Sequence, residues 1–227
     1  DKAIDEIDAT SMNVHDKVHQ VRKRCKKLRG LLRLARPALE GTYQRENKCI
    51  RNAARVLSDI RDAKSIVNTY DAVTNRFADQ INRSAFGSIR AQLTRQLHGI
   101  TRDEVESALS WVGNELESVK ARVGDWELDD DGFESIAAGA TKTRERAIER
   151  FSDVRGDPGA DLLHQWRKRV KYHWYHLRLL RGVWPQLMDA LIEAADQLGD
   201  LLGDDHDLAV FAETLQSEEE HFGPSSD

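Results

Sequence analysis

The chain is poor in the features by which many enzymes and secreted proteins show themselves. Its 227 residues hold two cysteines, Cys25 and Cys49. That number excludes a disulfide framework and a cysteine metal cluster, and both read as buried or incidental thiols. No apolar run approaches the roughly 20 residues of a membrane span. No signal peptide precedes the first helical pattern, so the expected location is cytoplasmic, with no membrane partner. There is no Gly-rich phosphate loop, no HExxH helix, and no Ser/His/Asp or Cys/His grouping at a motif spacing. β-Branched residues nowhere alternate as strands require, which leaves an all-α fold. Aromatic platforms for stacked bases are scarce as well: Trp166 falls on an apolar seam, and only Trp174 and Tyr175 come near a polar stripe.

Acid is also missing from two stretches. Residues 17–36 carry nine Lys/Arg and no Asp or Glu, and residues 164–181 carry six and none. An ordinary solvated helix face interleaves Glu with Lys at i,i+4, because like charges at that spacing repel by a few tenths of a kcal/mol per pair. The two stretches are copies of one motif. HQVRKRCKKLRGLLRLAR, from His19 to Arg36, returns 145 residues later as HQWRKRVKYHWYHLRLLR, from His164 to Arg181.

At 100° per residue, His19, Arg22, Lys23, Lys26 and Arg33 share one helix face, with Arg29 at its edge. Val21, Cys25, Leu28, Leu32 and Ala35 fall opposite as a packing seam. In the second copy His164, Arg167, Lys168, Lys171, Tyr175 and Arg178 form the polar stripe, and Trp166, Val170, Leu177 and Leu180 the apolar one. Arg24 and Arg169, at equivalent positions, lie toward the apolar side and must snorkel or pair. The formal net charge is −5; setting the two stretches aside leaves 19 Lys/Arg against all 39 Asp/Glu. Two basic helices inside an acidic body suit a narrow site for a thin anion better than a general nucleic-acid surface.

In chain order, an acidic lead-in of residues 1–14 precedes the first motif helix, Val14 to Arg36, which Pro37 ends. A second helix is expected from Gln44 to Thr69, with the seam Cys49, Ala53, Val56, Ile60 and Val67, bearing Arg51, Arg55, Arg61 and Asp62. A third covers Asp71 to Arg83 with Val73, Phe77 and Ile81 buried, and a fourth Ile89 to Leu97. Thr101 and Glu104 form a capping box that opens a helix reaching Val123, with the seam Val105, Leu109, Val112, Leu116 and Val119. Gly124 to Gly132 is an acidic connector between halves. Phe133 to Val154 reads as a helix with the seam Ile136, Ala140, Ala147 and Phe151. Asp161 then stands as N-cap of the second motif helix, which ends near Trp184-Pro185. The last pattern runs from Gln186 to His221, interrupted at Gly203, burying Leu187, Leu191, Leu198, Leu201, Leu208, Phe211 and Leu215 ahead of a frayed tail.

His15 and His19 stand at i,i+4, a spacing that could hold a metal, but no third ligand is in view. The carboxylates Asp129 to Asp131 and Asp204-Asp205 fall in expected turns, where Asp bonds local backbone. LGDLLGDDHDLAVF, Leu198 to Phe211, echoes LSDIRDAKSI, Leu57 to Ile66, with Asp59 matching Asp200 and Ile60 matching Leu201. His206, between Asp205 and Asp207, is expected in a helix-break turn.

The HxxRKRxK openings, the LRLxRP continuation, the pair Arg61-Asp62, the LGDLLGDDHDLAV segment and the duplication together resemble the CHAD family over nearly the whole chain. The resemblance implies two four-helix bundles related by approximate two-fold symmetry about a basic cleft or pore, residues 11–123 and 133–222 flanking the connector 124–132. It also implies that the chain binds inorganic polyphosphate there, keeps company with triphosphate-processing proteins and associates with polyphosphate granules. Carried over residue by residue, the binding set is His19, Arg22, Lys23, Lys26, Arg33, His164, Arg167, Lys168, Lys171 and Arg178, then Arg29, Arg55, Arg61 and Tyr175. His19 and His164 are expected to donate to phosphate, more tightly as pH falls through their pKa. Neither catalysis, a cofactor nor a metal is expected. The competing readings are a metal-dependent phosphohydrolase or phosphotransferase using the His and Asp groups, and a binder of single-stranded nucleic acid.

Overall fold

The acid-free stretches and their neighbours fold as helices throughout. A computed structural model describes residues 1–82, 86–129 and 132–217, and among these it is all α with no strand. The helices are α1 (Lys2–Asp8), α2 (Val14–Leu34), α3 (Glu40–Val56), α4 (Ser58–Arg76), α5 (Gly87–Gly99), α6 (Arg102–Arg122), α7 (Glu134–Gly156), α8 (Ala160–Leu179) and α9 (Pro185–Ser217). None of them is long and apolar enough to cross a membrane. Asp130, Asp131, the expected helix end at Arg83, and the last pattern beyond Ser217 with its tail lie outside the described residues.

Local chemistry sets several helix ends. Asn13 caps α2 by accepting from the Asp16 N–H, and the 3-10 turn Arg36–Ala38 closes it with Pro37 inside the turn. The capping box of α6 is formed: Thr101 Oγ1 accepts from Glu104 N at 3.2 Å and Glu104 Oε2 from Thr101 N at 2.7 Å. The expected seam of α6, Val105 to Val119, is buried in full, each such side chain contributing about 1.5–3 kcal/mol. It packs with Val18, Val21 and Cys25 of α2 and with Ile50, Ala53 and Leu57 in one core beneath α1, α2, α3 and α6. Inside this half Glu46 is wholly buried and gripped by Arg122 at 2.9 and 2.8 Å and by Arg45 at 2.7 Å. A second core joins Val67 and Tyr70 of α4 and Leu93 and Leu97 of α5 to Phe211 of α9.

Several expectations are corrected. The helix expected from Gln44 to Thr69 is two helices, broken at Leu57. No Gly or Pro marks the break; Leu57 is fully buried while Val56 is 43% exposed, so the core pulls the chain one residue out of its period. The helix expected from Asp71 belongs to α4, and Phe77 is exposed. Leu28 of α2 is exposed, and its seam runs instead through Val18, Val21, Cys25, Leu32 and Leu34. Helix α7 buries Ser135, Gly139, Thr143 and Val154 rather than Phe151. Its small face is needed because a Cβ at Gly139 would sit 1.9 Å from the Leu34 carbonyl oxygen at the end of α2. Helix α8 begins after Gly159, so Asp161 lies in the first turn and does not cap it.

Helix α9 runs unbroken through Gly203, and Leu187, Leu191, Leu201 and Leu208 are exposed. The buried positions are Gly199, Leu202, Gly203 and Phe211, because α9 turns its glycines toward α8. His206 is therefore a mid-helix residue, not a turn residue. The two motif helices meet at equivalent places: a Cβ on Gly30 of α2 would lie 3.1 Å from Tyr175 Cβ of α8, and His176 Nε2 is 2.9 Å from Gly30 O.

Candidate anion-binding site

The first-copy stripe projects from the N-terminal two-thirds of α2 toward α4 and α8. Arg22 is anchored there by Nη1, which donates to Ala54 O and to Ser58 Oγ, each at 2.6 Å. One turn along stands Lys26. Solvent reaches its side chain, yet protein walls stand close around it, and the ammonium is pushed down to about 8. Lost hydration is the first cause, and the cations Arg22, Arg61 and Arg167 follow, with Asp62 opposing. His19 is lowered by the same crowd, by desolvation first and then by Arg61, Lys23 and Lys26. Arg61 reaches this group from α4 and holds Asp62 at 3.3 Å.

The second copy contributes from α8, laid across the glycine row of α9. A Cβ at Gly203 would come within 3.1 Å of Arg167 Nη2, and one at Gly199 within 2.9 Å of Lys171 Cε. Glycine there lets both cationic side chains lie flat on the α9 backbone. Lys171 is bound by Asp196 and Asp200 at 3.2 Å each. His164 stacks on His206, ring centroids 3.7 Å apart and planes at 28°. Desolvation first, then His206, Lys168 and Arg167, lower His164 to about 4. His206 is lowered by desolvation and then Arg167, against the pull of Asp207. The Nε atoms of Arg22 and Arg167 and Nδ1 of His164 are buried with no hydrogen-bond partner among the described residues.

A cleft of about 860 Å³ opens beside this cluster between α2, α4 and α9. His15, His19, Arg61, Lys64 and Arg76 line it along with Asp16, Asp204 and Asp207. A recess of about 100 Å³ bearing Arg61, His206 and Asp207 adjoins it. Lys64 and Arg76 were not among the expected residues, although Lys64, three residues after Arg61, falls on the same face of α4.

The expected set thus divides. His19, Arg22, Lys23, Lys26 and Arg61 are brought together with His164, Arg167 and Lys168. Arg29 is half-buried and donates to Asn47 Oδ1 at 3.2 Å, Arg33 stacks on Tyr172 at 3.9 Å, and Arg178 on Trp174 at 4.7 Å. Arg55 is exposed on α3, and Tyr175 packs over Gly30, its phenol raised chiefly by desolvation. Trp174 is buried and offers no stacking platform. No group of three or more His, Cys, Asp or Glu suited to a metal ion occurs among the described residues.

Cations of this number, held by helices from both ends of the chain, attract an anion and supply forked donors to its oxygens, although Asp62, Asp196 and Asp200 pair some of them and Asp16, Asp204 and Asp207 share the cleft. No curated protein and no solved structure matches the chain significantly. The sequence model of the CHAD domain matches residues 2–216, nearly the whole length. The chain therefore belongs to the CHAD domain family.

Proposed function

We propose that the cation cluster and its cleft bind inorganic polyphosphate and hold it without turning it over. The observation that carries this reading is the convergence on Lys26 of Arg22 and Arg61 from the first half and Arg167 from the second. Such a gathering costs stability unless an anion joins it. Polyphosphate is thin, flexible and charged at each phosphoryl unit, with no base or sugar to accommodate. Helix α2 presents its cations about every 5.4 Å, one turn apart, as a ladder for successive phosphates. Arg supplies bidentate donors and Lys point charges.

The same reading takes the halves as two bundles related by approximate two-fold symmetry. In its support, Gly30 and Tyr175, equivalent positions of the repeat, touch each other. Association with polyphosphate granules and with triphosphate-processing proteins would follow from the ligand.

The test is calorimetric titration of long-chain polyphosphate, and of single-stranded RNA of similar charge, into wild type and a Lys26→Gln/Arg167→Gln variant at two salt concentrations. The expected result is tight polyphosphate binding, weakened steeply by salt through counterion release and lost in the variant. RNA binding of equal strength would replace this reading with a nucleic-acid one. Release of inorganic phosphate in the presence of a divalent metal, abolished by His206→Ala, would replace it with a hydrolase. A folded wild type that ignores polyphosphate sinks it.

A further inference from the structure

One turn past the Gly30–Tyr175 crossing, away from Lys26, a small recess of about 30 Å³ carries cations that the cleft does not use. Arg33 and Arg36 reach it from the end of α2 and the following turn, Lys142 and Arg146 from α7, and Arg169 from α8. Among the described residues no carboxylate lines it.

The pocket is built rather than incidental. Gly139 presses the α7 backbone onto the Leu34 carbonyl, and Lys142 and Arg146, three and seven residues on, share the face that this contact turns inward. Arg33 stacks on Tyr172 at 3.9 Å and Arg36 on Tyr43 at 4.9 Å. Arg33 Nη1 also donates to Arg29 O at 3.1 Å, and a guanidinium held by its face keeps its remaining N–H edge open to an oxyanion.

The repeat supplies a comparison. Arg24, the equivalent of Arg169, is neutralised by Glu6 at 2.5 Å. Arg169 has no carboxylate partner among the described residues and instead faces Arg33, Arg146 and Arg150, of which Arg150 is already taken by Asp153 at 2.6 Å. The carboxyl end of α2 accounts for roughly half a charge of this accumulation. No carboxylate lining the pocket among the described residues offsets the rest.

We infer that this pocket is a second site, separate from the cleft, for a single phosphoryl oxyanion: free orthophosphate or the terminal group of a short phosphate chain. Its volume suits one compact ion, since a single water needs a cavity of about 10–15 Å³. The inference stands on its own residues and does not depend on the cleft binding polyphosphate.

The test titrates orthophosphate and tripolyphosphate at constant ionic strength into wild type, Arg146→Gln/Arg169→Gln and, as the cleft control, Lys26→Gln. Orthophosphate should bind wild type and Lys26→Gln alike, one per chain, and bind the double variant at least tenfold more weakly. Equal affinity for both ligands identifies free phosphate as the occupant. Tripolyphosphate bound at least tenfold more tightly, with the same dependence on Arg146 and Arg169, identifies a chain end. Removing mutually repelling cations should leave the unliganded melting temperature equal or higher; should the double variant not fold, Arg36→Gln replaces it, with the same loss expected. Binding unchanged in the pocket variants, absent from wild type for both ligands, or lost only in Lys26→Gln overturns the inference.

Discussion

His164 and His206 stack face to face at 3.7 Å, joining α8 to α9 directly beside Arg167. Two imidazoles so placed cannot both be charged cheaply. Burial, the second ring and Lys168 and Arg167 hold His164 down at about 4, against an ordinary value of 6.5, with Asp161 pulling upward.

Stability should therefore fall on acidification. A histidine whose folded pKa lies below its unfolded one stays neutral in the fold while the unfolded chain takes up the proton. Its contribution is intact above about 6.5 and is lost progressively as pH falls toward about 4. Melting temperature measured from pH 7.5 to 4.5 should drop less steeply in His164→Gln than in wild type. Parallel curves would show that the stack does not control the proton.

Lys26 gives a signature of the same sign at the alkaline end: stability rises with pH. Its folded pKa of about 8 lies below the ordinary 10.5, so the cost of its charge is fully present below pH 8 and is relieved between about 8 and 10.5. Lys26→Met should raise the melting temperature at pH 7 while weakening polyphosphate binding about tenfold, the size of one lost charge-assisted contact. Because a bound anion raises the lysine pKa again, titrations near pH 8 in buffers of different ionisation enthalpy should register proton uptake by wild type and less by the variant.

Asp196 and Asp200 restrain Lys171 at 3.2 Å each. An Asp196→Asn/Asp200→Asn variant frees this ammonium and removes two negative charges from the approach to the site. Polyphosphate affinity should rise by about three- to tenfold at low salt, the gain shrinking at high salt as the Debye length shortens and the charges are screened. Unchanged affinity would place Lys171 outside the binding surface.

Two glycines should respond differently to alanine. At Gly139 the new methyl meets backbone, the Leu34 carbonyl at 1.9 Å, so α7 must move and stability should fall by at least about 3 kcal/mol. At Gly203 it meets the far end of the Arg167 side chain, Nη2, at 3.1 Å. There the helix preference of alanine, about 1 kcal/mol, offsets the crowding, and the loss should appear as about threefold weaker polyphosphate binding. Denaturant melts and calorimetry on both variants separate the two outcomes.

The amino-acid pattern alone determined that the chain is helical, that α2 and α8 are copies, and that each carries a cationic stripe opposite an apolar seam. Those properties follow from the 3.6-residue period and from residue type, both local. Tertiary contact decided the rest. Gly30 fits against Tyr175, and that crossing separates Arg33 from Lys26 on one continuous face. Gly199 and Gly203 turn inward and leave Leu201 and Leu208 exposed, and Leu57 breaks a helix that nothing in its own sequence interrupts. Arg24 finds Glu6 while Arg169 finds only cations. A periodic pattern states which way a side chain points along its own helix; which neighbour it meets depends on where two backbones approach closely, and that is set by residues distant in the chain.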